Sequence, residues 1–73
     1  MTQEEFITEL EDILSLEEGE LTINSNLKEL EDWDSLAIIS VIALVDKKIG
    51  KKVNVLALKE CVSVTDLINT VGL

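Results

Sequence analysis

The sequence predicts an all-α domain, a four-helix bundle of three longer helices and one short helix with a long loop between the first two. The chain has no proline, three glycines and only two aromatic residues. Its leucine, isoleucine and valine residues recur at helical spacing, and suitable cap residues precede the helical patterns. The length of 73 residues fits a single small domain, 1–73, with a modest core.

The first helix is expected from Gln3 to about Ser15. Thr2 is a good N-cap, and Glu5 three residues later completes a capping box. The face expected in the core carries Phe6, Leu10, Ile13 and Leu14, with Ile7 beside it. The face expected in solvent carries Glu4, Glu9, Glu11 and Asp12. This amphipathic pattern predicts a core helix without chemistry of its own.

Residues 16–34 form a long connection, which in a small domain either has a function or indicates a wrong assignment of the helices. Its expected core anchors are Leu21, Ile23, Leu27 and Leu30, with a short helical turn around Leu27–Leu30. Four acids cluster at its end: Glu29, Glu31, Asp32 and Asp34. Because the Asp-x-Asp within them lacks the rest of a calcium loop, we interpret them as a solvated acidic rim and predict no metal site.

The second helix is the most apolar segment and is expected from about Ser35 to Ile49. Gly50 suits the position after its end, and Lys47 and Lys48 complement the helix dipole there. Its core face is expected to carry Ile38, Val41, Ile42, Val45 and Ile49. A second face is also apolar or small, with Leu36, Ala37, Ile39, Ser40 and Ala43. A helix of this kind is either central in its bundle or docks a partner.

Two shorter helices are expected after this one. Asn54 can cap a short third helix, roughly Val55 to Cys61. Ser63 can cap the last helix, with Asp66 at the capping-box position. The inner face of the last helix is expected to carry Val64, Leu67, Ile68 and Val71, and Gly72 to end it.

Charge and residue usage exclude several classes of function. The net charge of −9 argues against a nucleic-acid partner and favours basic protein partners. The chain has no histidine and one cysteine, so an internal disulfide, a cysteine-based zinc site and histidine catalysis are excluded. No catalytic constellation is present, so we do not expect an enzyme. The absence of a leader pattern and of a membrane-length apolar run predicts a cytoplasmic address without membrane contact.

The stretch Asp32-Trp33-Asp34-Ser35-Leu36 carries the main functional signal. Ser35 is expected at a helix start, where free backbone N–H groups and the helix dipole attract phosphate. A hydroxyl there is well placed to carry a phosphodiester. Taken alone, however, the tripeptide from Asp34 to Leu36 favours the simpler interpretation, an aspartate N-cap followed by two ordinary helix residues.

The Asp-Ser-Leu tripeptide at the start of the second helix, together with the order of helices and loop, resembles the acyl carrier protein family along nearly the whole chain. The resemblance implies a bundle of the acyl-carrier type. It implies that a phosphopantetheinyl transferase attaches 4′-phosphopantetheine covalently to Ser35. The terminal thiol of this arm then holds a substrate as a thioester. By the same resemblance, Asp34 is the family's acidic residue before the serine, and Leu36 is an exposed contact for partner enzymes.

Fatty-acid carriers can shelter a chain between their last three helices. The candidates to line such a cavity here are Ile42, Leu58 and Cys61, with plain core packing as the equal alternative. For Cys61 itself, a small buried hydrophobe is expected rather than a reactive thiol.

One departure from the family pattern concerns the second helix. Fatty-acid carriers usually place acids along its exposed side, where this chain has Ala37 and Ser40, followed by Lys47 and Lys48; only Asp46 keeps the negative sign. We therefore expect a carrier for fatty-acid-like or specialised biosynthesis. The departure fits the specialised pathway more closely, such as that of a secondary metabolite, a modified sugar or a surface polymer. The alternatives are an aminoacyl or peptidyl carrier and an unmodified acidic interaction module. The expected partners of a monomeric carrier are the transferase, an acyl- or aminoacyl-loading ligase, and acyltransferase or synthase enzymes.

Overall fold

A computed structural model describes residues 1–73, and it contains four α-helices and one 3₁₀ turn. The helices are α1 (Gln3–Ile13), α2 (Ser35–Lys48), α3 (Val55–Lys59) and α4 (Val64–Val71), and the 3₁₀ turn η1 is Leu27–Glu29. There is no β-strand, and one isolated antiparallel bridge joins Asn26 to Ser63. The predicted all-α bundle with a long first loop is confirmed.

The helices start where their caps predict and end slightly earlier than expected. Helix α1 stops at Ile13, and Ser15 then has a φ of 58°, a left-handed conformation that a right-handed helix cannot include. Helix α2 stops at Lys48 and α3 at Lys59. Gly50, with a φ of 74°, makes the predicted turn after α2. Glycine adopts this left-handed conformation without strain because it has no Cβ.

Both predicted capping boxes are present. Thr2 Oγ1 accepts a hydrogen bond from the Glu5 N–H at 3.1 Å, and Glu5 Oε1 accepts one from the Thr2 N–H at 3.0 Å. In the second box, Asp66 Oδ2 accepts from the N–H groups of Val62 at 3.0 Å and Ser63 at 3.2 Å. These backbone donors favour the ionised carboxylate and therefore lower the pKa of Asp66 below its ordinary value.

The hydrophobic core is one cluster of 15 buried side chains, to which all four α-helices and the loop contribute. The inner face predicted for α4 is confirmed, since Val64, Leu67, Ile68 and Val71 are all buried. Among the predicted loop anchors, Leu21 and Leu27 are buried and Leu30 is half-buried. None of the helices has the length and apolar content that a bilayer crossing requires.

The prediction for Ile23 is wrong, because its side chain is 46% exposed. Its carbonyl oxygen instead accepts hydrogen bonds from Thr65, at 3.1 Å from the backbone N–H and at 2.8 Å from the hydroxyl. The backbone of Ile23 is thus fixed to the start of α4. This anchoring is made by the peptide group rather than by the apolar side chain.

The prediction for Glu11 is also wrong: this side chain is 4% exposed instead of lying in solvent. Its Oε2 atom accepts hydrogen bonds from the backbone N–H groups of Gly19 at 2.8 Å and Leu21 at 3.0 Å. The first part of the long loop therefore closes over α1 and buries the carboxylate. The two hydrogen bonds hold Leu21 at its place in the core.

Replacing Glu11 by alanine should destabilise the domain by about 1–3 kcal/mol, because the two N–H groups would lose their buried partner. For a domain of this size, each kcal/mol corresponds to a fall of roughly 4–8 °C in Tm. Glu9→Ala, on the exposed side of the same helix, is the matched control and should stay within about 0.5 kcal/mol of wild type. Equal urea-unfolding midpoints for the two variants would contradict the role assigned to Glu11.

Candidate functional site

The start of α2 is fixed by Asp34, which has extended backbone geometry and acts as the N-cap. Its Oδ1 atom accepts a hydrogen bond from the Ala37 N–H at 3.1 Å, and its carbonyl oxygen accepts one from the Ile38 N–H at 3.0 Å. A side-chain cap of this kind satisfies one of the free donors of the first turn. Asp34 therefore determines where the helix begins and how the next residue is presented.

Ser35 is the first residue of α2 and is exposed. Its hydroxyl makes no hydrogen bond within the protein, and the backbone N–H groups of Ser35 and Leu36 have no internal acceptor. Free donors and the helix dipole together favour an anion at this end of the helix. A phosphate esterified to the Ser35 hydroxyl therefore fits the site.

Two open grooves flank the start of α2. One, of about 380 Å³, is lined by Leu27, Lys28, Trp33, Asp34, Ser35, Ile38 and Lys59. The other, of about 260 Å³, is lined by Ile13, Ser15, Asp32, Asp34, Leu36, Ala37 and Ser40. The first groove contains two lysines and one carboxylate, whereas the second contains two carboxylates and no base. Ser35 lines the groove that contains the lysines, whereas its neighbours Asp34 and Leu36 line the acidic groove.

The exposed face of α2 is apolar near Ser35. Leu36 is 73% exposed and Ile39 is 57% exposed, with Ala43 also exposed further along. Ser40 is half-buried, and its hydroxyl donates to the Leu36 carbonyl oxygen at 3.0 Å. We name Leu36, Ile39 and Ala43 the apolar face.

Ala37 does not belong to the apolar face, and its prediction as a docking residue is wrong. It is 4% exposed and lies in the core cluster. At about 3.6 residues per turn, Ala37 is on the same side of the helix as Val41 and Val45, which are fully buried. Its small side chain lets α2 lie close to the core at its first turn.

The short helix α3 adds exposed apolar side chains that the sequence pattern did not identify. Leu56 is 64% exposed and Val55 is 41% exposed. A helix of five residues is too short for its apolar face to be read from periodicity. These side chains extend the apolar surface of the molecule beyond α2.

The three residues predicted as candidates for an acyl-chain cavity take part in core packing. Leu58 is fully buried, Cys61 is 4% exposed, and Ile42 is half-buried against the core. The Cys61 thiol donates to the Ala57 carbonyl oxygen at 3.3 Å, so the thiol has a partner in the interior. A cavity that opens among these residues to take an acyl chain stays a prediction.

The acids before Ser35 are spread over the surface. Glu29, Glu31, Asp32 and Asp34 are all exposed, and nowhere do three or more candidate ligand side chains come together to hold a metal ion. The molecule has one ion pair, between Lys52 and Asp46 at 3.5 Å, and it is solvent-exposed. Residues 1–34 contain twelve acids and one lysine, a formal charge of −11, and none of these acids takes part in an ion pair.

Because this excess repels itself in the compact state, added salt should raise Tm. Screening acts over roughly 10 Å at 0.1 M salt, and the radius of gyration of this domain is 10.8 Å, so charges on opposite sides are screened from each other. Thermal unfolding followed by circular dichroism from low to high sodium chloride measures the effect. A variant with Glu17→Gln and Glu18→Gln, both exposed, should start at a higher Tm and respond less to salt. A Tm independent of salt in the wild type would be the contrary result.

The fold and the site define a small helical domain with a free serine hydroxyl at an anion-attracting helix start. The model of one family, described as phosphopantetheine attachment site, matches residues 4–71. The chain therefore belongs to the phosphopantetheine attachment site family, the domain family of the acyl carrier proteins. This domain is the attachment site for covalently bound 4′-phosphopantetheine, and such carrier domains are typically non-catalytic. No curated protein and no solved structure matches the chain significantly.

Proposed function

We propose that this chain is an acyl carrier protein whose Ser35 carries 4′-phosphopantetheine. The observation that carries the proposal is the exposed Ser35 hydroxyl at the first position of α2, free of internal hydrogen bonds. This position lies inside the range that matches the family. The arm supplies the thiol on which pathway intermediates are held as thioesters and presented to partner enzymes.

The residues around Ser35 support attachment in separate ways. Asp34 fixes the helix start through its bonds to Ala37 and Ile38, so the hydroxyl is held outward for a transferase to approach. Oγ then forms the bond to phosphorus as the phosphoanhydride bond of coenzyme A breaks. The nucleotide half of coenzyme A, adenosine 3′,5′-bisphosphate, leaves with the electron pair of that bond, and the hydroxyl proton passes to a base of the transferase. The free N–H groups of Ser35 and Leu36 provide donors for the resulting phosphodiester.

The apolar face supports a dedicated carrier for a specialised pathway. Leu36 and Ile39 are more than half exposed, and both stand beside the attachment point. Partner enzymes reaching the thiol contact this face, which offers apolar area in place of the usual acids.

We include in the proposal that the chain is a monomer, is not an enzyme and acts in the cytoplasm. Support for the location is compositional, a single free cysteine that is buried.

The test is intact-mass spectrometry after incubation with coenzyme A, magnesium and a broad-specificity phosphopantetheinyl transferase. We expect a gain of one phosphopantetheinyl group, and peptide mapping should locate it on the peptide that contains Ser35. A chain that gains no mass under conditions that load an ordinary carrier would favour the unmodified interaction module. Loading by an acyl ligase rather than an aminoacyl ligase then separates the acyl carrier from the aminoacyl or peptidyl alternative.

A further inference from the structure

The groove between η1 and α3 is defined by its two cations and its apolar floor, and we name it the lysine groove. Its lining comprises Leu27, Lys28, Trp33, Asp34, Ser35, Ile38 and Lys59. Leu27 and Ile38 are buried and Trp33 is half-buried, so the floor is apolar. Ser35 is part of the lining, so a group attached to its hydroxyl starts at this groove.

The two lysines of this groove have no carboxylate partner, although the chain contains 15 acids. The Lys28 ammonium group donates to the Lys59 carbonyl oxygen at 2.9 Å, which joins η1 to the end of α3. The Lys59 ammonium group makes no hydrogen bond within the protein. The one carboxylate of the groove, on Asp34, uses Oδ1 as the acceptor of the helix cap. The charged side chains that line the groove therefore sum to +1, on a molecule with a net charge of −9.

The groove on the opposite side of the helix start has the reverse character. It contains the carboxylates of Asp32 and Asp34 and no cation. A phosphodiester on Ser35 shares a groove with two lysines on one side and meets only carboxylates on the other, so electrostatics favours the lysine side. Charge thus favours the groove with the lysines over the acidic groove for a group attached to the Ser35 hydroxyl.

We propose, on the basis of the Ser35 attachment proposed above, that the lysine groove seats the first part of the phosphopantetheine arm. Lys28 and Lys59 face the phosphodiester, and Trp33 and Ile38 contact the dimethyl-bearing part that follows it. Leu36 lines the opposite groove, so an arm seated among the lysines leaves the apolar face uncovered. Lys28 and Lys59 are positioning residues that bias the arm toward α3.

Trp33 provides the measurement, because it is the single tryptophan of the chain and lines the groove. The experiment compares acrylamide quenching of Trp33 fluorescence before and after loading, with intact mass confirming complete loading. We expect loading to reduce quenching in the wild type. In a variant with Lys28→Gln and Lys59→Gln, the ratio of seated to free arm should fall about fivefold, the effect of losing two exposed ion pairs.

A matched control has the same loss of charge elsewhere: Lys47→Gln with Lys48→Gln, at the far end of α2. This control should keep the wild-type protection of Trp33. Lys59→Gln alone leaves intact the hydrogen bond from Lys28 to the Lys59 backbone carbonyl, so it tests the charge without opening the groove. The single phosphorus resonance of the loaded protein should shift in both lysine-groove variants and not in the control.

Two results separate the inference from the proposed function. A chain that gains no mass overturns the proposed function and the inference with it. A chain that gains the mass while Trp33 quenching stays unchanged overturns the inference alone. Wild-type protection in the variant lacking both groove lysines would also overturn it, because the arm would then be seated without their charge.

Discussion

Replacing Ser35 by alanine should abolish the mass gain on treatment with coenzyme A and transferase. The hydroxyl oxygen is the atom that forms the bond to phosphorus, and alanine has no atom to replace it. Because the Ser35 side chain is exposed and makes no hydrogen bond, the variant should keep its helical circular dichroism spectrum. Its free energy of unfolding should stay within about 0.5 kcal/mol of wild type.

The matched control for this variant is Ser40→Ala. Ser40 lies on the same helix, but its hydroxyl already donates to the Leu36 carbonyl oxygen. This variant should gain the same mass as the wild type. If Ser35→Ala were still modified, the attachment site would be wrong, whatever the outcome for Ser40.

The second large effect should come from Ile39→Asp, which places a carboxylate in the middle of the apolar face. Burial of an isoleucine side chain at an interface contributes about 1.5–3 kcal/mol, so its loss should lower kcat/KM with the cognate partner roughly 10- to 100-fold. Ile39 is 57% exposed in the free protein, and the fold should therefore tolerate the change. Steady-state kinetics with the loaded variant as substrate measures the effect.

Lys47→Glu is the control for charge alone, since it reverses a cation in the last turn of the same helix. A charge at the rim of an interface mainly changes the encounter rate, so this variant should lose less than Ile39→Asp. A larger loss for Lys47→Glu would show that electrostatic contacts, rather than the apolar face, determine partner binding.

A related comparison tests whether the carrier is dedicated to its own pathway. General fatty-acid elongation enzymes should extend the wild type poorly beside an ordinary fatty-acid carrier. Acids introduced at Ser40 and Ala43 should improve their use of this chain, because both positions are accessible at least in part. An acid at Ala37 would instead place a carboxylate in the core. Extension of the wild type as efficient as that of the ordinary carrier would return the interpretation to bulk fatty-acid synthesis.

The sequence predicted those features that depend on neighbouring residues. The capping boxes of Thr2 with Glu5 and of Ser63 with Asp66 are local, because each needs only residues three apart in one turn. The start of α2 at Ser35 was predictable for the same reason. The inner face of a strongly periodic helix such as α4 also follows from spacing alone.

The features that could not be predicted depend on where distant segments meet. Glu11 is buried because the loop returns to α1 eight and ten residues later, which no helical period encodes. Ile23 is fixed through its carbonyl oxygen to Thr65, 42 residues away. The lysine groove has the same origin, since Lys28 and Lys59 are 31 residues apart.

The loop that leads to Ser35 is long, but hydrogen bonds attach it to the rest of the domain at several points, and only short stretches lie between these points. Glu11 holds Gly19 and Leu21, Ile23 is bonded to Thr65, and Leu27 donates its N–H to the Val62 carbonyl oxygen at 2.7 Å. The segment is therefore preorganised before any partner arrives. An enzyme that docks beside the serine does not have to order this loop. The entropic cost of ordering it belongs to folding and does not weaken association.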